Sequence, residues 1–251
     1  MKIDIACLVR YPELHERMAA SAKKTASVAS LGFITQADDG LPHLAAAYNR
    51  MAAQSDAEIV LFVHDDVHFM EPGWDGKLIE ALLSGFDVAG VVGSREYSGG
   101  RIFDSGNRHG AGKFVCQEDG IQHVKLLGPC KSVEPVAVID GMFMAVKKSH
   151  WQVCRFDEQF DELFFYDLDY CLRSRCCVVD TLIAHEKPKE HFGKYPEHMK
   201  PIEHYWAAFH DKHSLSHSAP IENQVCHKMT LPDFLRTGQQ RAYADLQAVG
   251  K

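Results

Sequence analysis

One nine-residue stretch, residues 59–67 with the sequence IVLFVHDDV, constrains the fold more than any other. Its first five residues are apolar and β-favouring without a break, which is typical of a strand buried on both faces in a parallel sheet. The run ends in His64, Asp65 and Asp66, so the strand brings these polar groups to the carboxyl edge of the sheet. Ligands bind at that edge in open α/β sheets, and adjacent oxygen ligands suit Mg²⁺ or Mn²⁺. Taken alone, such a run is more often a solvated turn, so the rest of the chain has to decide.

Strands and helices alternate over residues 1–93. The apolar patterns predict strands within residues 3–9, 28–35, 59–63 and 86–92. They predict helices at residues 13–24, 41–53 and 74–83, with Pro42 where a first helical turn tolerates proline. This alternation indicates a mostly parallel sheet with right-handed crossovers.

The pattern changes after Gly93. Residues 94–131 are rich in glycine and in short alternating stretches, which predicts hairpins and loops that could cover a site. Short strands are predicted at residues 136–139 and 177–184, with a helix in the second half of residues 156–175. Helices at 201–213 and 231–246 complete a tail rich in histidine and aromatic residues. The predicted fold class is α/β, with a mostly parallel mixed sheet flanked by helices and a helical C-terminal tail.

Composition narrows the classes of function. The 251 residues are 46% hydrophobic, ample for a large core, and carry a formal net charge of −7, which argues against a nucleic-acid binder. The eight cysteines contain no CxxC pair, so we expect buried thiols in a reducing compartment. The start of the chain has a strand pattern, and no apolar run approaches the ~18 residues of a membrane span. We therefore expect a cytoplasmic protein, with peripheral contact at the inner face of the membrane left open.

Three separated places present functional groups: residues 64–66 after one strand, Asp167 and Asp169 at a helix start, and His185 after another strand. Three longer phrases accompany them: AAAYNRMAAQSDAEIVLFVHDD at residues 45–66, IDGMFMAVKKSHW at 139–151, and a phrase at 156–175 that ends in FFYDLDYCLRSR. In this order they resemble the inverting nucleotide-sugar glycosyltransferases of family 2, whose fold is called GT-A. The resemblance covers roughly residues 3–185.

The resemblance implies a role for each matching residue. Asp66 corresponds to the carboxylate that binds the metal, Mn²⁺ or Mg²⁺, which bridges the donor diphosphate. His185 corresponds to a histidine that completes the metal site in many members, and His191 is its rival. Asp65 corresponds to a contact with the donor, and Asp167 to the general base. A base at a helix N-terminus should be kept ionised.

Further donor-binding residues follow from the same resemblance. Asp140 and Gly141 occupy a place that faces the donor sugar and the acceptor, and Arg10 follows the first strand. Asp38 or Asp39 could read the nucleobase. The implied organisation is a catalytic domain at residues 1–190, with a nucleotide-binding half at 1–93 and an acceptor half at 94–190. A helical extension follows at residues 191–251.

Other interpretations of these residues stay open. The family has an aspartate where this chain has His64, which leaves one carboxylate fewer for the donor and metal. Asp167 could cap a helix, while Asp169 could pair with Arg173 on an exposed face, the favoured interpretation for Asp169. Asp140 and Gly141 could form only a turn.

The resemblance predicts a metal-dependent inverting glycosyltransferase of the hexosyltransferase type. It would move a sugar from a nucleotide-sugar donor, with UDP favoured, to a glycan or lipid-linked acceptor in surface-polysaccharide assembly. A sugar-binding or scaffold protein of the same fold is the alternative. A phosphohydrolase, suggested by the His64-Asp65 dipeptide, is less favoured because that class needs helices around the dipeptide.

Overall fold

The predicted strand at residues 59–63 is the buried centre of the structure. In a computed structural model, which describes residues 1–37, 43–97, 109–118, 120–160, 165–186, 202–214 and 227–237, it forms β3 (Ile59–Val63). All five of its side chains are buried, as the unbroken apolar run predicts.

Strand β3 lies within a mixed sheet of seven described strands. In order across the sheet these are β2 (Ser30–Ala37), β1 (Lys2–Val9), β3, β11 (Phe143–Lys147), β5 (Val88–Gly90), β12 (Cys176–Val179) and β9 (Val133–Val136). Strand β1 pairs in parallel with β2 and β3, and β5 pairs in parallel with β12. Strand β11 returns between β3 and β5 and is antiparallel to both, and β9 is antiparallel to β12. The predicted α/β fold with a mixed sheet is confirmed.

A second sheet extends from the end of β3. Its central path is β10 (Val138–Ile139), β6 (Val92–Ser94), β7 (Gly110–Glu118), β13 (Ile183–His185) and β4 (Val67–Phe69). Strand β8 (Ile121–Gly128) forms the predicted glycine-rich hairpin with β7, and Gly120 lies at its turn with φ +78°. Strand β14 (His227–Thr230) pairs with β8.

Three predicted strands are each divided between the two sheets, so the sequence prediction of single strands was wrong. Residues 86–92 form β5 and the start of β6, and residues 177–184 form parts of β12 and β13. Residues 136–139 form the end of β9 and all of β10. A Cβ at Gly90 would lie 2.7 Å from the side chain of Ile139, so glycine permits the close approach where the chain leaves the first sheet. Asp180 and Thr181 interrupt the second run. Apolar patterning marks buried strands but does not show where a chain crosses between sheets.

Seven described helices flank the sheets: α1 (Pro12–Thr25), α2 (Leu44–Gln54), α3 (Trp74–Leu83), α4 (Lys148–Val153), α5 (Tyr166–Leu172), α6 (Ile202–His213) and α7 (Leu231–Thr237). Helix α3 has the predicted bounds. Helix α2 begins at Leu44 after the N-cap His43, whereas the sequence predicted a start at residue 41 with Pro42 in the first turn. Pro42 itself lies outside the described residues.

Helix α2 covers the first sheet with its alanine-rich face. The ring of Tyr48 lies 4.8 Å from that of Phe62 on β3, and Ala45 and Ala52 are fully buried beside it. Small alanines let the helix approach the strands closely, as expected in a densely packed interior. The seven cysteines in the described residues are free thiols, and six of them are buried as predicted.

The described part of the C-terminal extension contains a strand as well as the helix predicted at 201–213 and the first half of the helix predicted at 231–246; residues 238–246 lie outside the described residues. Strand β14 pairs antiparallel with β8, and Leu231 and Phe234 of α7 pack against Val115 and Val124 of the hairpin. The four residues of β14 are too few to show a two-residue apolar period, so the sequence did not predict them. The division of the chain at residue 190 stays a prediction. Within the described residues, no helix has the length and apolar character needed to cross a bilayer.

Asp75 on α3 stabilises the chain just before β2. Its carboxylate is fully buried and accepts hydrogen bonds from the backbone N–H groups of Val28 and Ala29, both at 2.7 Å, and of Ser27 at 3.0 Å. Burial alone would raise the pKa of Asp75, but these N–H groups hold the pKa below its usual value.

We predict that Asp75→Ala lowers the free energy of unfolding by about 2–4 kcal/mol at pH 7, because three N–H groups lose a charged acceptor. Urea denaturation measures the change. Glu16→Ala on the exposed face of α1 is the control and should change stability by less than about 0.5 kcal/mol. Equal unfolding midpoints for the two variants would contradict the assignment.

Candidate active site

Four chain segments meet at the carboxyl end of β3. They are the turn after β3, the turn between β10 and β11, the start of α5, and the end of β13. Two backbone hydrogen bonds join them: the N–H of His64 donates to the carbonyl of Met142 at 3.1 Å, and the N–H of Glu186 donates to the carbonyl of Asp66 at 2.8 Å. The structure therefore brings together residues that lie up to about 120 positions apart in sequence.

His64, Asp66 and His185 form a compact cluster of metal-ligand side chains. One ligand atom from each of the three lies within 4.8 Å of the others. Asp66 is buried, and its Oδ1 lies 3.1 Å from Nε2 of His185, whose side chain is 11% exposed. The structure thus brings together the two predicted metal residues and adds a third.

From the sequence, His64 meant one carboxylate fewer for the donor and metal, whereas the structure places its imidazole beside the other two side chains. The sequence did contain a signal for this role: His64 lies two residues before Asp66, and histidine, like aspartate, is a metal-binding residue type. Two imidazoles and one carboxylate fit Mn²⁺ better than Mg²⁺, because Mg²⁺ prefers oxygen ligands throughout.

Asp65 turns away from the cluster toward the end of β1. Its Oδ2 accepts hydrogen bonds from the backbone N–H groups of Arg10 at 2.7 Å and Tyr11 at 2.6 Å. Burial raises the pKa of Asp65, although these two hydrogen bonds oppose the shift. The predicted donor-binding residues Asp65 and Arg10 are therefore neighbours, and Asp65 holds the loop that follows β1.

Asp167 lies in the first turn of α5 and faces the turn at Asp140 and Gly141. Its Oδ2 accepts the N–H of Gly141 at 2.8 Å, and its Oδ1 accepts the N–H of Leu168 at 2.9 Å. Burial and the nearby negative charge of Asp140 raise the pKa of Asp167 to about 7. The sequence predicted that the helix N-terminus favours the ionised carboxylate, and desolvation opposes that effect here.

Tyr166 joins the two parts of the site and was missed from the sequence. Its hydroxyl lies 3.5 Å from Nε2 of His64, and its buried ring packs between Tyr48 and Phe156 at centroid distances of 5.8 and 6.3 Å. Because Tyr166 precedes Asp167 in the chain, this contact links the start of α5 to His64 of the cluster. In the sequence, an aromatic residue next to an acidic one does not by itself indicate such a contact.

Asp169 makes the predicted i,i+4 pair with Arg173 at 2.6 Å, but not on an exposed face. Its side chain is fully buried, so that part of the prediction was wrong. Three further predicted candidates, Asp38, Asp39 and His191, lie outside the described residues.

Comparison with known families gives a direct assignment. The sequence profile described as "Glycosyltransferase like family" matches residues 27–207, more than half of the chain. The chain belongs to this glycosyltransferase-like family. No curated protein matches the chain.

Solved structures provide a second comparison. A mutant of Drosophila beta-1,4-galactosyltransferase 7, in complex with manganese, UDP-Gal and xylobiose, superposes with a TM-score of 0.50 at 12% identity. That match covers 88% of this chain and 83% of the other. The structure of Staphylococcus aureus TarS in complex with UDP-GlcNAc is also similar, with a TM-score of 0.47 and 11% identity. That match covers 78% of this chain and 62% of TarS. The likeness to the galactosyltransferase shows that the fold is GT-A.

Gly141 permits the close contact between the two turns of the site. A Cβ at this position would overlap the hydroxyl of Tyr166 and lie 3.0 Å from the Cβ of Asp167. Any larger side chain must therefore displace Tyr166 or Asp167.

We predict that Gly141→Ala lowers the free energy of unfolding by about 1–3 kcal/mol through this overlap. Urea denaturation compares it with Gly76→Ala in α3, where the nearest atom to an added Cβ, on Val28, is 3.6 Å away. The control should be neutral or slightly stabilising because alanine favours helix. If Gly141→Ala is as stable as wild type, the turns are not packed as tightly as described.

Proposed function

We propose that the protein is a metal-dependent, inverting glycosyltransferase that moves a hexose from a UDP-sugar to a glycan or lipid-linked acceptor. The observation that carries the proposal is the joint arrangement of His64, Asp66 and His185 with Asp167, linked through Tyr166. Family membership and the GT-A fold support the reaction class. The manganese and UDP-Gal of the Drosophila structure support a divalent cation and a UDP-linked donor here.

His64, Asp66 and His185 are the residues that would hold the cation. When bound there, Mn²⁺ would neutralise the charge that develops on the departing nucleoside diphosphate. Asp66 supplies the negative charge that attracts a cation, and the two imidazoles direct the choice toward Mn²⁺. Asp65 keeps the loop at Arg10 next to the cluster, where that loop can contact the donor.

Asp167 is the proposed general base. An inverting transfer requires a group that takes the proton from the acceptor hydroxyl as its oxygen attacks the anomeric carbon. The N–H of Gly141 and the helix N-terminus orient the carboxylate, and among the described residues it forms no ion pair that would occupy it. A pKa of about 7 suits a base that works near neutral pH.

The dipeptide His64-Asp65 lies between β3 and β4 rather than among helices, which disfavours the phosphohydrolase. For the acceptor, we propose a chain of surface polysaccharide assembled in the cytoplasm at the inner face of the membrane. Asp140 and Gly141, beside Asp167, would contact the donor sugar and the acceptor.

A thermal-shift panel of nucleotide sugars, each with Mn²⁺, Mg²⁺ or chelator, tests the donor. A ligand at 100 times its Kd stabilises the folded state by about 2.7 kcal/mol, so the correct donor should raise the melting temperature only with the metal present. UDP-sugars with Mn²⁺ should give the largest shift. If no nucleotide sugar shifts melting, the sugar-binding proposal fails in favour of a scaffold.

We predict that Asp66→Ala, His64→Ala and His185→Ala each weaken Mn²⁺ binding at least about 100-fold, because each removes one of three protein ligands. Titration calorimetry with Mn²⁺ alone measures this, without any sugar. His150→Ala, whose ring bonds Ser174 instead, is the control and should bind normally. If His64→Ala retains wild-type affinity, the cluster has only two ligands.

We predict that Asp167→Asn reduces kcat by about 10²–10⁴-fold and leaves Mn²⁺-dependent UDP binding within about twofold. Asparagine keeps the shape but cannot accept the proton. In the wild type, kcat/KM should rise with pH through about 7, because only the deprotonated carboxylate acts as a base. Wild-type transfer by Asp167→Asn would assign the base to another residue.

A further inference from the structure

Helix α6 packs against the start of α5, the helix that carries Asp167. The ring of Phe209 is fully buried and stacks on Phe165 with the centroids 4.7 Å apart. It also contacts Phe160 at 5.7 Å. The C-terminal extension is thus in direct contact with the residue that begins α5.

A single buried carboxylate joins the two helices. Asp169 has no exposed side-chain surface, and Arg173 donates to its Oδ2 at 2.6 Å. The other oxygen, Oδ1, accepts from Lys212 at 2.6 Å and from Nε2 of His213 at 2.9 Å. A buried carboxylate requires such partners, because an unpaired one is strongly destabilising.

Two of these three partners belong to the end of α6. The family profile ends at residue 207, so Lys212 and His213 lie beyond the part of the chain that it matches. The feature therefore belongs to this chain's own extension rather than to the matched part.

Helix α5 has little stability of its own. It contains seven residues, and its N-cap Phe165 has a left-handed backbone with φ 67°. Helices of this length are marginal without tertiary contacts, and a left-handed aromatic residue adds strain. The first helical hydrogen bond, from the N–H of Asp169 to the carbonyl of Phe165 at 2.8 Å, spans Asp167. The contacts that hold Asp169 in place therefore also set the position of Asp167.

We propose that Lys212 and His213 are positioning residues for the Asp167 base, acting through Asp169. The expected change in kinetics rests on the proposed glycosyl transfer, whereas the expected change in the stability of α5 does not. Removing Lys212 leaves the negative charge of Asp169 less compensated two residues from Asp167, and removing His213 takes a hydrogen-bond donor from Asp169. The other charged groups here are Arg173 and, through Lys212, Asp157, while Asp140 faces Asp167 itself.

The first measurement is hydrogen exchange of the free protein, with the variants Lys212→Met and His213→Gln. We expect the amides of α5 to exchange at least about tenfold faster in both variants, while those of α3 stay unchanged, because local opening of α5 becomes easier. Arg236→Gln removes an exposed charge from α7 and should leave α5 protected. Unchanged protection of α5 in both variants would overturn the inference, whatever the protein catalyses.

The second measurement is kinetic. In Lys212→Met and His213→Gln, kcat should fall about tenfold or more, while the KM for donor and the affinity for Mn²⁺ with UDP stay within about twofold. In Lys212→Met, the acid limb of the kcat/KM profile should move to higher pH, since the less compensated charge of Asp169 raises the pKa of Asp167. A general loss of folded protein would not move this limb. Lys212→Arg keeps the charge and should restore most of kcat.

The outcomes separate the two proposals. Equal losses of UDP affinity and kcat, or an unmoved acid limb, would show a merely structural role and overturn the positioning inference. If wild-type protein transfers no sugar from any donor, the proposed function fails, and the exchange measurement still decides whether α6 holds α5.

Discussion

The site depends on the two backbone hydrogen bonds that fasten the turn after β3. One reaches the start of β11 and the other reaches the residue after β13, so three distant segments share one position. Both bonds join backbone atoms, so they do not depend on which side chains the turn carries. The side chains of the turn are therefore available for binding or catalysis. The buried strand β3 supports this arrangement from behind, because its five side chains are enclosed on both faces.

The second constraint is electrostatic. Four carboxylates lie around one sheet edge: Asp65, Asp66, Asp140 and Asp167. Three effects act on the pKa values of Asp65 and Asp167: desolvation, repulsion between like charges, and hydrogen bonds from backbone N–H groups. Desolvation raises the pKa values of both Asp65 and Asp167 in the protein alone. Holding several carboxylates close together costs folding free energy. Such a group is typical of a site where a bound ligand compensates the negative charge. The same cost explains why Asp169, only two residues away, has three basic partners.

Much of this could be predicted from the sequence, and the exceptions have physical causes. The run at residues 59–63 and the helix at 74–83 have strong local patterns, and both have the predicted bounds. The adjacency of His64 to His185, the link through Tyr166 and the burial of Asp169 all depend on contacts between distant segments. Local patterns cannot reveal such contacts. The raised pKa of Asp167 was not predicted for a related reason, since the helix N-terminus is visible in the sequence while the enclosure of the carboxyl is not.

Strand β14 has a consequence for the behaviour of the protein in solution. Without it, β8 would be an open edge of eight residues, with unpaired N–H and carbonyl groups available to a strand from another molecule. With β14 in place, the outermost strand has four described residues and carries Lys228, whose ammonium pairs with Glu118. A short edge that carries a charge is a poor template for strand addition. The extension thus protects the hairpin from aggregation.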